Sequence, residues 1–156
     1  MKTILILVGK TTDKHFQAGI SDYAERISHY MPFDIITIPE LKNTKSLTED
    51  QQKTAEGELI LRQLQPSDSV VLLDEHGCEL RSMELARWLA QKHQTARRLV
   101  FVIGGPYGFS EAVYSRANEK LSLSRMTFSH QMVRLVFAEQ LYRACTIIKG
   151  EPYHHE

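Results

Sequence analysis

A glycine-rich stretch has the residue types and spacing of a ligand-binding loop. In LVFVIGGPYGFSEAV (residues 99–113), an apolar run leads into GGPYG (104–108), and Ser110 then opens a helical pattern. A strand, a loop without bulky side chains and a helix start, in that order, commonly leave room for a ligand at the carboxyl edge of a parallel sheet. A tight turn stiffened by proline explains the same residues without a ligand, and the stretch by itself does not separate the two.

The common nucleotide-binding motifs do not explain this loop. Its spacing is GGPYG rather than GxGxxG, and no strand that ends in an acidic residue follows about 20 residues later, as a dinucleotide site requires. The sequence also lacks the GxxxxGK[ST] phosphate-binding loop. A dinucleotide or nucleoside triphosphate site is therefore not expected here.

A second candidate stretch, LSLSRMTFSHQMVRLVFAEQLYRA (121–144), reads as a short strand, a polar turn and a helix. Met126 and Phe128 can form an apolar wall for a flat base. Arg134 and Arg143 lie nine positions apart, which places them on opposite sides of a helix at ~100° per residue. They can serve one anion site only if a second element or a second subunit completes it, and a surface ion pair is the simpler expectation for each.

The end of the chain, KGEPYHHE, is the third candidate. Tyr153 and His154 can stack on a nucleic-acid base or hydrogen-bond to it, whereas a disordered tail is the alternative. No metal site is expected, because His154 and His155 are adjacent and no carboxylate or thiol has ligand spacing to them.

Charge is unevenly distributed along the chain. Residues 96–150 carry eight basic and three acidic side chains, a net of +5, whereas the remainder carries 11 basic and 16 acidic side chains, a net of −5. A basic segment of this kind is expected in a protein that attracts a polyanion such as RNA. A chance distribution of solvated faces produces the same numbers.

Length and composition indicate one soluble globular domain that spans residues 1–156. The chain has 42% hydrophobic and 24% charged residues, both ordinary for such a domain. No apolar run approaches the ~18 residues of a membrane span, and the opening MKTILILVGK reads as a first strand rather than a signal peptide. Cys78 and Cys145 have no CxxC spacing, so we expect two buried thiols in a reducing, cytoplasmic environment.

Segments with the composition of β-strands alternate along the chain with segments that have the periodicity of α-helices. Several β-prone runs are each followed by a segment with helical spacing. One such segment has an apolar face from Phe16 to Tyr30, and the next opens with a capping box at Thr48 and Gln51. The last helix is predicted from about His130 to Lys149 and ends at Gly150. Such alternation predicts an α/β domain with a mostly parallel sheet and helices on both faces. The predicted strands lie at 3–8, 33–38, 69–74, 98–104 and 121–126, and the further predicted N-caps are Ser82, Ser110 and Ser129.

Together, VIGGPYG, LSLSRMTFSHQMVRLVFAEQLYRA and PYHHE resemble the ribosomal RNA large-subunit methyltransferase H family, and ILVGK, MPFDIITIPE and EGELIL fit the same family. The resemblance covers essentially the whole chain. It implies a small SPOUT-class methyltransferase with a C-terminal trefoil knot, which the alternation of strands and helices does not itself indicate. It also implies S-adenosyl-L-methionine as cofactor, N3 of a pseudouridine in 23S ribosomal RNA as the methylated atom, assembled ribosomes as the substrate, and a homodimer.

Site residues follow from the resemblance by position. The loop residue Gly104 and the end of the third strand belong to the implied cofactor site, as does the segment after the fifth strand. The full set of expected cofactor contacts is Leu73, Gly104, Leu123, Ser124, Arg125, Met126, Thr127 and Phe128.

Two interpretations of the chemistry remain open. His154 can act as a general base, because histidine ordinarily titrates near neutral pH. Alternatively, Arg143 can stabilise the target ring as an anion without any base. In both interpretations Tyr153 stacks on or orients the target base.

The last helix also predicts the homodimer. Its large apolar residues exceed one buried stripe, so we expect it to cover both its own sheet and a partner, with Arg143 and the tail beside a cofactor site at the interface. Three alternatives stay open: a nucleotide-binding module without chemistry, a ribosome-associated factor without cofactor, and a methyltransferase with another RNA target. The apolar residues are Met132, Val133, Leu135, Val136, Phe137, Leu141, Tyr142, Ile147 and Ile148.

Overall fold

One sheet of five parallel strands runs through the molecule. A computed structural model describes all 156 residues. The strands are β1 (Lys2–Val8), β2 (Phe33–Ile38), β3 (Ser69–Glu79), β4 (Arg98–Ile103) and β5 (Glu119–Ser122). Their order across the sheet is β2-β1-β4-β3-β5, and all four neighbouring pairs are parallel. The predicted parallel sheet is therefore confirmed.

Two strands differ from the prediction by more than one residue. The third strand continues to Glu79 instead of ending at residue 74, and the fifth covers Glu119–Ser122 instead of 121–126. Polar Glu119 can join because its carboxylate is paired: the Trp88 side chain donates to it at 3.0 Å, and Lys92 forms an ion pair with it. Just after the strand ends, the Ser124 hydroxyl accepts a hydrogen bond from the Met126 amide at 2.9 Å, as serine side chains commonly do in turns.

Five α-helices connect and cover the strands. They are α1 (Lys14–Ser28), α2 (Glu49–Arg62), α3 (Ser82–Thr95), α4 (Glu111–Arg116) and α5 (Met132–Lys149), with a short 3₁₀ helix at Thr44–Ser46. None of these helices combines the length and the apolarity that a bilayer crossing requires.

Three predicted helix ends are confirmed. Thr48 and Gln51 bond reciprocally at the start of α2, at 2.9 and 3.1 Å. The Ser110 hydroxyl accepts from the Val113 amide at 3.3 Å. Gly150 ends α5 with φ +72°, a left-handed conformation that glycine adopts without strain.

The prediction that Ser82 caps α3 is wrong. Ser82 is the first residue of the helix, and Arg81 occupies the cap position. The Glu84 carboxylate accepts from the Arg81 amide at 2.8 Å, so the exposed end of the helix is satisfied without the serine. The Ser82 hydroxyl instead donates to the Gln140 side chain at 3.0 Å and ties α3 to α5.

The predicted N-cap of the last helix is also displaced. The helix begins at Met132, and Gln131 holds the cap position. Ser129 still accepts from the Met132 amide at 3.0 Å. The Gln131 side chain bonds to the loop after β1, accepting from Thr12 N at 2.8 Å and donating to the Lys10 carbonyl at 3.0 Å. The start of α5 is therefore held both by the Ser129 hydroxyl and by a distant loop.

The sheet is apolar on both faces because successive side chains point to opposite sides. Leu5 and Phe101 face the layer formed by α1, α3 and α5, and pack with Phe137 of α5. Ile6 and Val102 face the layer formed by α2 and α4. The predicted arrangement of helices on both faces is thus confirmed.

The two cysteines differ in their surroundings. Cys145 is buried as predicted, and burial raises the pKa of its thiol to about 12. The prediction that Cys78 is buried is wrong, because Cys78 is exposed. It lies in the polar end of β3, beyond the residues that the helices cover.

Arg134 is completely buried, which corrects the expectation of a surface ion pair. Its guanidinium donates to the Val8 carbonyl at 2.7 Å, to the Gly9 carbonyl at 2.9 Å and to the Thr11 hydroxyl at 2.9 Å. Its Nε donates to the His130 carbonyl at 3.1 Å. Burial lowers the pKa of Arg134, and these acceptors offset the cost of removing the charge from water. The side chain joins the end of β1 to the start of α5.

We predict that Arg134→Met lowers the free energy of unfolding by about 3 kcal/mol, because the buried Val8 and Gly9 carbonyls lose their donors. Urea titration followed by circular dichroism measures the change. Arg125→Met is the matched control, since the Arg125 side chain is 87% exposed, and its effect should stay within about 0.5 kcal/mol. Equal effects of the two variants would contradict the structural role of Arg134.

Candidate active site

A cavity of about 700 Å³ opens at the carboxyl edge of the sheet, where β3, β4 and β5 end. Its walls are the end of β3, the glycine loop after β4, and the segment that joins β5 to α5. The volume lies within the range of small-molecule and cofactor sites. The place is the one where parallel α/β sheets commonly bind ligands.

The glycine loop is both a tight turn and a cavity wall. The Gly108 amide donates to the Gly105 carbonyl at 3.2 Å around Pro106, and Gly108 has φ +83°. A Cβ on Gly104 would lie 3.0 Å from the Phe109 ring and 3.3 Å from the Gly108 carbonyl oxygen. The glycine at 104 is therefore needed for the loop to fold closely on itself.

A buried carboxyl group supports this loop from behind. Glu56 of α2 is 5% exposed, and burial raises the pKa of its side chain. Gln52 donates to one carboxyl oxygen at 3.1 Å, while the other has no partner. A Cβ on Gly105 would lie 2.7 Å from that second oxygen. Sequence reasoning missed Glu56 because its surroundings in the sequence, EDQQKTAEGE, resemble those of a solvated helix.

Seven of the eight expected cofactor contacts line the cavity, and Arg125 does not. The Arg125 side chain is 87% exposed, and its Nε lies 3.6 Å from a Glu79 carboxyl oxygen. Thr127 donates to a Glu75 carboxyl oxygen at 3.3 Å within the lining. The residues that line the cavity as expected are Leu73, Gly104, Leu123, Ser124, Met126, Thr127 and Phe128.

The charge of the lining limits the class of ligand. No lysine or arginine lines the cavity, whereas Glu49, Asp74 and Glu75 do. Tyr114 donates a short hydrogen bond to Asp74, which fixes that carboxylate, and burial together with this bond raises the pKa of Tyr114. Carboxylates without cations disfavour a phosphorylated ligand and favour one that carries positive charge. Apolar walls beside them suit a flat ring.

The three expected catalytic residues meet in a second cluster, at the far end of α5. An Nη of Arg143 lies 3.1 Å from His154 Nδ1, and its guanidinium lies 4.7 Å from the centre of the Tyr153 ring. Glu139 joins them, since it accepts from Arg143 at 2.5 Å and from the Tyr153 hydroxyl at 3.0 Å. We call Glu139, Arg143, Tyr153 and His154 the C-terminal cluster. Only the i, i+4 spacing of Glu139 and Arg143 signalled its fourth member.

The tail packs against the helices, contrary to the alternative of a disordered tail. The Tyr153 and Tyr142 rings meet edge to face with centroids 4.7 Å apart. Tyr30 donates to the Glu151 carboxylate at 2.6 Å, and this bond raises the pKa of Tyr30 to about 12. Burial is the main cause that raises the pKa of Tyr153, followed by hydrogen bonds to Tyr23 and Glu139. Tyr153 is therefore an uncharged donor at neutral pH.

One subunit does not bring the cavity and the C-terminal cluster together. Val133 lines the cavity at the start of α5, and Arg143 follows ten residues later, about 15 Å along the helix axis at 1.5 Å per residue. Arg134, which the sequence offered as a second anion ligand, is buried against β1 and is not available. No group of three His, Cys, Asp or Glu side chains in the structure is arranged to hold a metal ion.

Comparison with known proteins identifies the family of this chain. Residues 1–154 match the family described as "Predicted SPOUT methyltransferase". Proteins named Ribosomal RNA large subunit methyltransferase H from Bacteroides fragilis and Bacteroides thetaiotaomicron are each 62% identical to this chain, and the one from Porphyromonas gingivalis is 54% identical. Each alignment covers 100% of this chain and 100% of the relative. This chain therefore belongs to the SPOUT methyltransferase family.

Proposed function

We propose that this protein transfers a methyl group from S-adenosyl-L-methionine to N3 of a pseudouridine in 23S ribosomal RNA, on assembled ribosomes in the cytoplasm. The relatives at 62% identity are named as large-subunit ribosomal RNA methyltransferases. Their full-length similarity favours an enzyme over a nucleotide-binding module or a cofactor-free ribosome factor. The trefoil knot and the single domain over residues 1–156 belong to the same proposal.

The main structural support is a cofactor-sized cavity that has carboxylates and no cations in its lining. S-adenosyl-L-methionine carries a sulfonium and an ammonium group, and when bound it supplies an electrophilic methyl group. Glu49, Asp74 and Glu75 suit those positive charges. The apolar residues that would hold the adenine ring are Leu73, Leu123, Met126 and Phe128. Gly104, Ser124 and Thr127 line the same cavity. Arg125 lies outside this lining and is not part of the proposed cofactor site.

A homodimer would complete the site. The C-terminal cluster, which contains the three expected catalytic residues, lies about 15 Å from the cavity along α5. α5 keeps exposed apolar side chains that a partner could cover, since Met132 is 37% and Ile148 40% exposed. A second copy related by a two-fold axis can bring its own C-terminal cluster to the cavity. Each active site then takes its cofactor from one subunit and Arg143, Tyr153 and His154 from the other.

The number of basic side chains that are free to contact RNA supports a binding surface formed by two subunits. Of the basic residues in 96–150, Arg134 is buried, and Arg98 bonds to the buried Asp68 carboxylate at 2.9 and 3.1 Å. Arg116 donates to the main-chain carbonyls of Gln65 and Asp68. Fewer cations are therefore free for phosphate than the sequence indicates. Pairing two subunits doubles those that remain exposed on the RNA-facing surface.

The function predicts a defined product. In 23S ribosomal RNA from a strain that lacks this protein, one pseudouridine should lack a methyl group at N3. Purified protein and S-adenosyl-L-methionine should restore that methyl group on ribosomes from the strain, as measured by mass spectrometry of nuclease fragments. Gly104→Val should bind the cofactor weakly, since the added atoms displace Phe109 and the Gly108 carbonyl. Unchanged RNA after treatment with the wild-type protein would contradict the proposed reaction.

The composite site predicts complementation between inactive subunits. Gly104→Val subunits have a damaged cavity, and subunits truncated after Gly150 lack Tyr153 and His154. Their heterodimer contains one intact site in two, so it should show about half of the wild-type activity. Circular dichroism and sedimentation establish that both variants fold and pair. Confirmed heterodimers without activity would show that each chain completes its own site.

A further inference from the structure

The hydrogen bond between Arg143 and His154 determines which ring nitrogen of His154 carries the proton. Arg143 Nη1 lies 3.1 Å from His154 Nδ1. A guanidinium has only N–H donors and stays charged in proteins. Nδ1 must therefore accept through its lone pair. The neutral ring then carries its single proton on Nε2.

The charged groups around the ring agree with this tautomer. A doubly protonated ring would direct its Nδ1–H at the N–H groups of Arg143 and place two positive charges side by side. On the other side, the Glu156 carboxylate lies 3.9 Å from Nε2, and the same oxygen lies 3.9 Å from an Arg81 guanidinium nitrogen. Glu139 is occupied by Arg143 and Tyr153. Nδ1 of His154 has no hydrogen-bond partner other than Arg143.

The Nε2–H of His154 has no partner in the subunit. The atom is buried, the side chain is only 14% exposed, and the distance to Glu156 is too long for a hydrogen bond. A buried donor without an acceptor costs free energy. Because this atom is buried, an acceptor carried by a ligand can reach it only when the residues that cover it move aside.

We propose that His154 acts as a neutral hydrogen-bond donor, through Nε2–H, to a ring carbonyl oxygen of the target base, and that it is not a general base. This inference rests on the proposed function. N3 of a uracil-type ring lies between two carbonyl groups, and loss of its proton spreads negative charge onto their oxygens. A fixed donor at one of them stabilises that charge as it develops. Arg143 holds the ring of His154 in the donor tautomer.

The resulting reaction is balanced without a protein base. Solvent hydroxide takes the N3 proton and becomes water. The N3 lone pair then attacks the sulfonium methyl carbon, and the breaking carbon–sulfur bond leaves its electron pair on sulfur as a neutral thioether. The one-proton ring of His154 is unchanged throughout.

Nuclear magnetic resonance tests the tautomer without RNA. In the full-length protein with ¹⁵N-labelled histidine, His154 at neutral pH should show an unprotonated Nδ1 and a protonated Nε2, whereas the exposed His155 serves as the reference for a solvated ring. Arg143→Met should shift His154 away from that state, because the donor to Nδ1 is lost. A proton on Nδ1 of the wild-type protein would overturn the inference. This result does not depend on methyltransferase activity, so it is separate from any failure of the proposed function.

Substitution by glutamine separates a donor from a base in the reaction itself. His154→Gln keeps an N–H donor near the position of Nε2 but cannot accept a proton. It should retain activity within about tenfold of wild type, whereas His154→Ala should lose about a hundredfold, as removal of one donor to a developing oxyanion does. The pH dependence of the rate should be the same in His154→Gln and wild type. His155→Gln is the matched control and should be fully active.

A loss in His154→Gln as large as in His154→Ala would overturn the donor role. So would a wild-type pH profile with a break that His154→Gln lacks, because such a break would report a titrating base at this position. Cofactor binding measured by calorimetry shows whether each variant keeps a folded cavity.

Discussion

The buried guanidinium of Arg134 sets the position of the helix on which both parts of the site depend. It bonds to the Val8 and Gly9 carbonyls at the end of β1 and to the His130 carbonyl just before α5. A charged group tolerates complete burial only when such acceptors replace its water. These hydrogen bonds therefore keep the guanidinium and its acceptors in one relative position. That geometry fixes the start of α5, where Val133 lines the cavity, and through the rigid helix it fixes Arg143 at the other end.

The two ends of α5 offer opposite chemistry. At the start, the cavity has carboxylates and apolar walls and no cation. At the end, the C-terminal cluster presents a guanidinium, a phenol whose pKa is raised by burial, and an imidazole whose Nε2 has no partner. Positive charge suits the first place, whereas an electron-rich base suits the second. This separation is the reason for proposing a composite site that two copies of the chain form together.

The tail is ordered because of contacts that its composition does not reveal. Tyr153 packs on Tyr142, and Tyr30 donates to Glu151 at 2.6 Å. These contacts fix the main chain on either side of His154, so its ring is held before any RNA arrives. Glu139 has a matching role, because it holds Arg143 and Tyr153 at the same time.

The sequence by itself determined the features that depend on local pattern. Strand alternation, the Thr48 capping box, the Gly150 helix end and the glycine loop all follow from residues within a few positions of each other, and the long C-terminal motifs were enough to identify the family. The tertiary structure decided what depends on residues far apart. Arg134 is buried because its acceptors lie 125 and 126 positions away, and Glu56 is buried because Gly105 packs against it. The periodicity of the sequence gives no information about contacts between such distant residues. The tautomer of His154 likewise follows only from the folded position of Arg143, since a hydrogen-bond direction exists only between atoms that have been brought together.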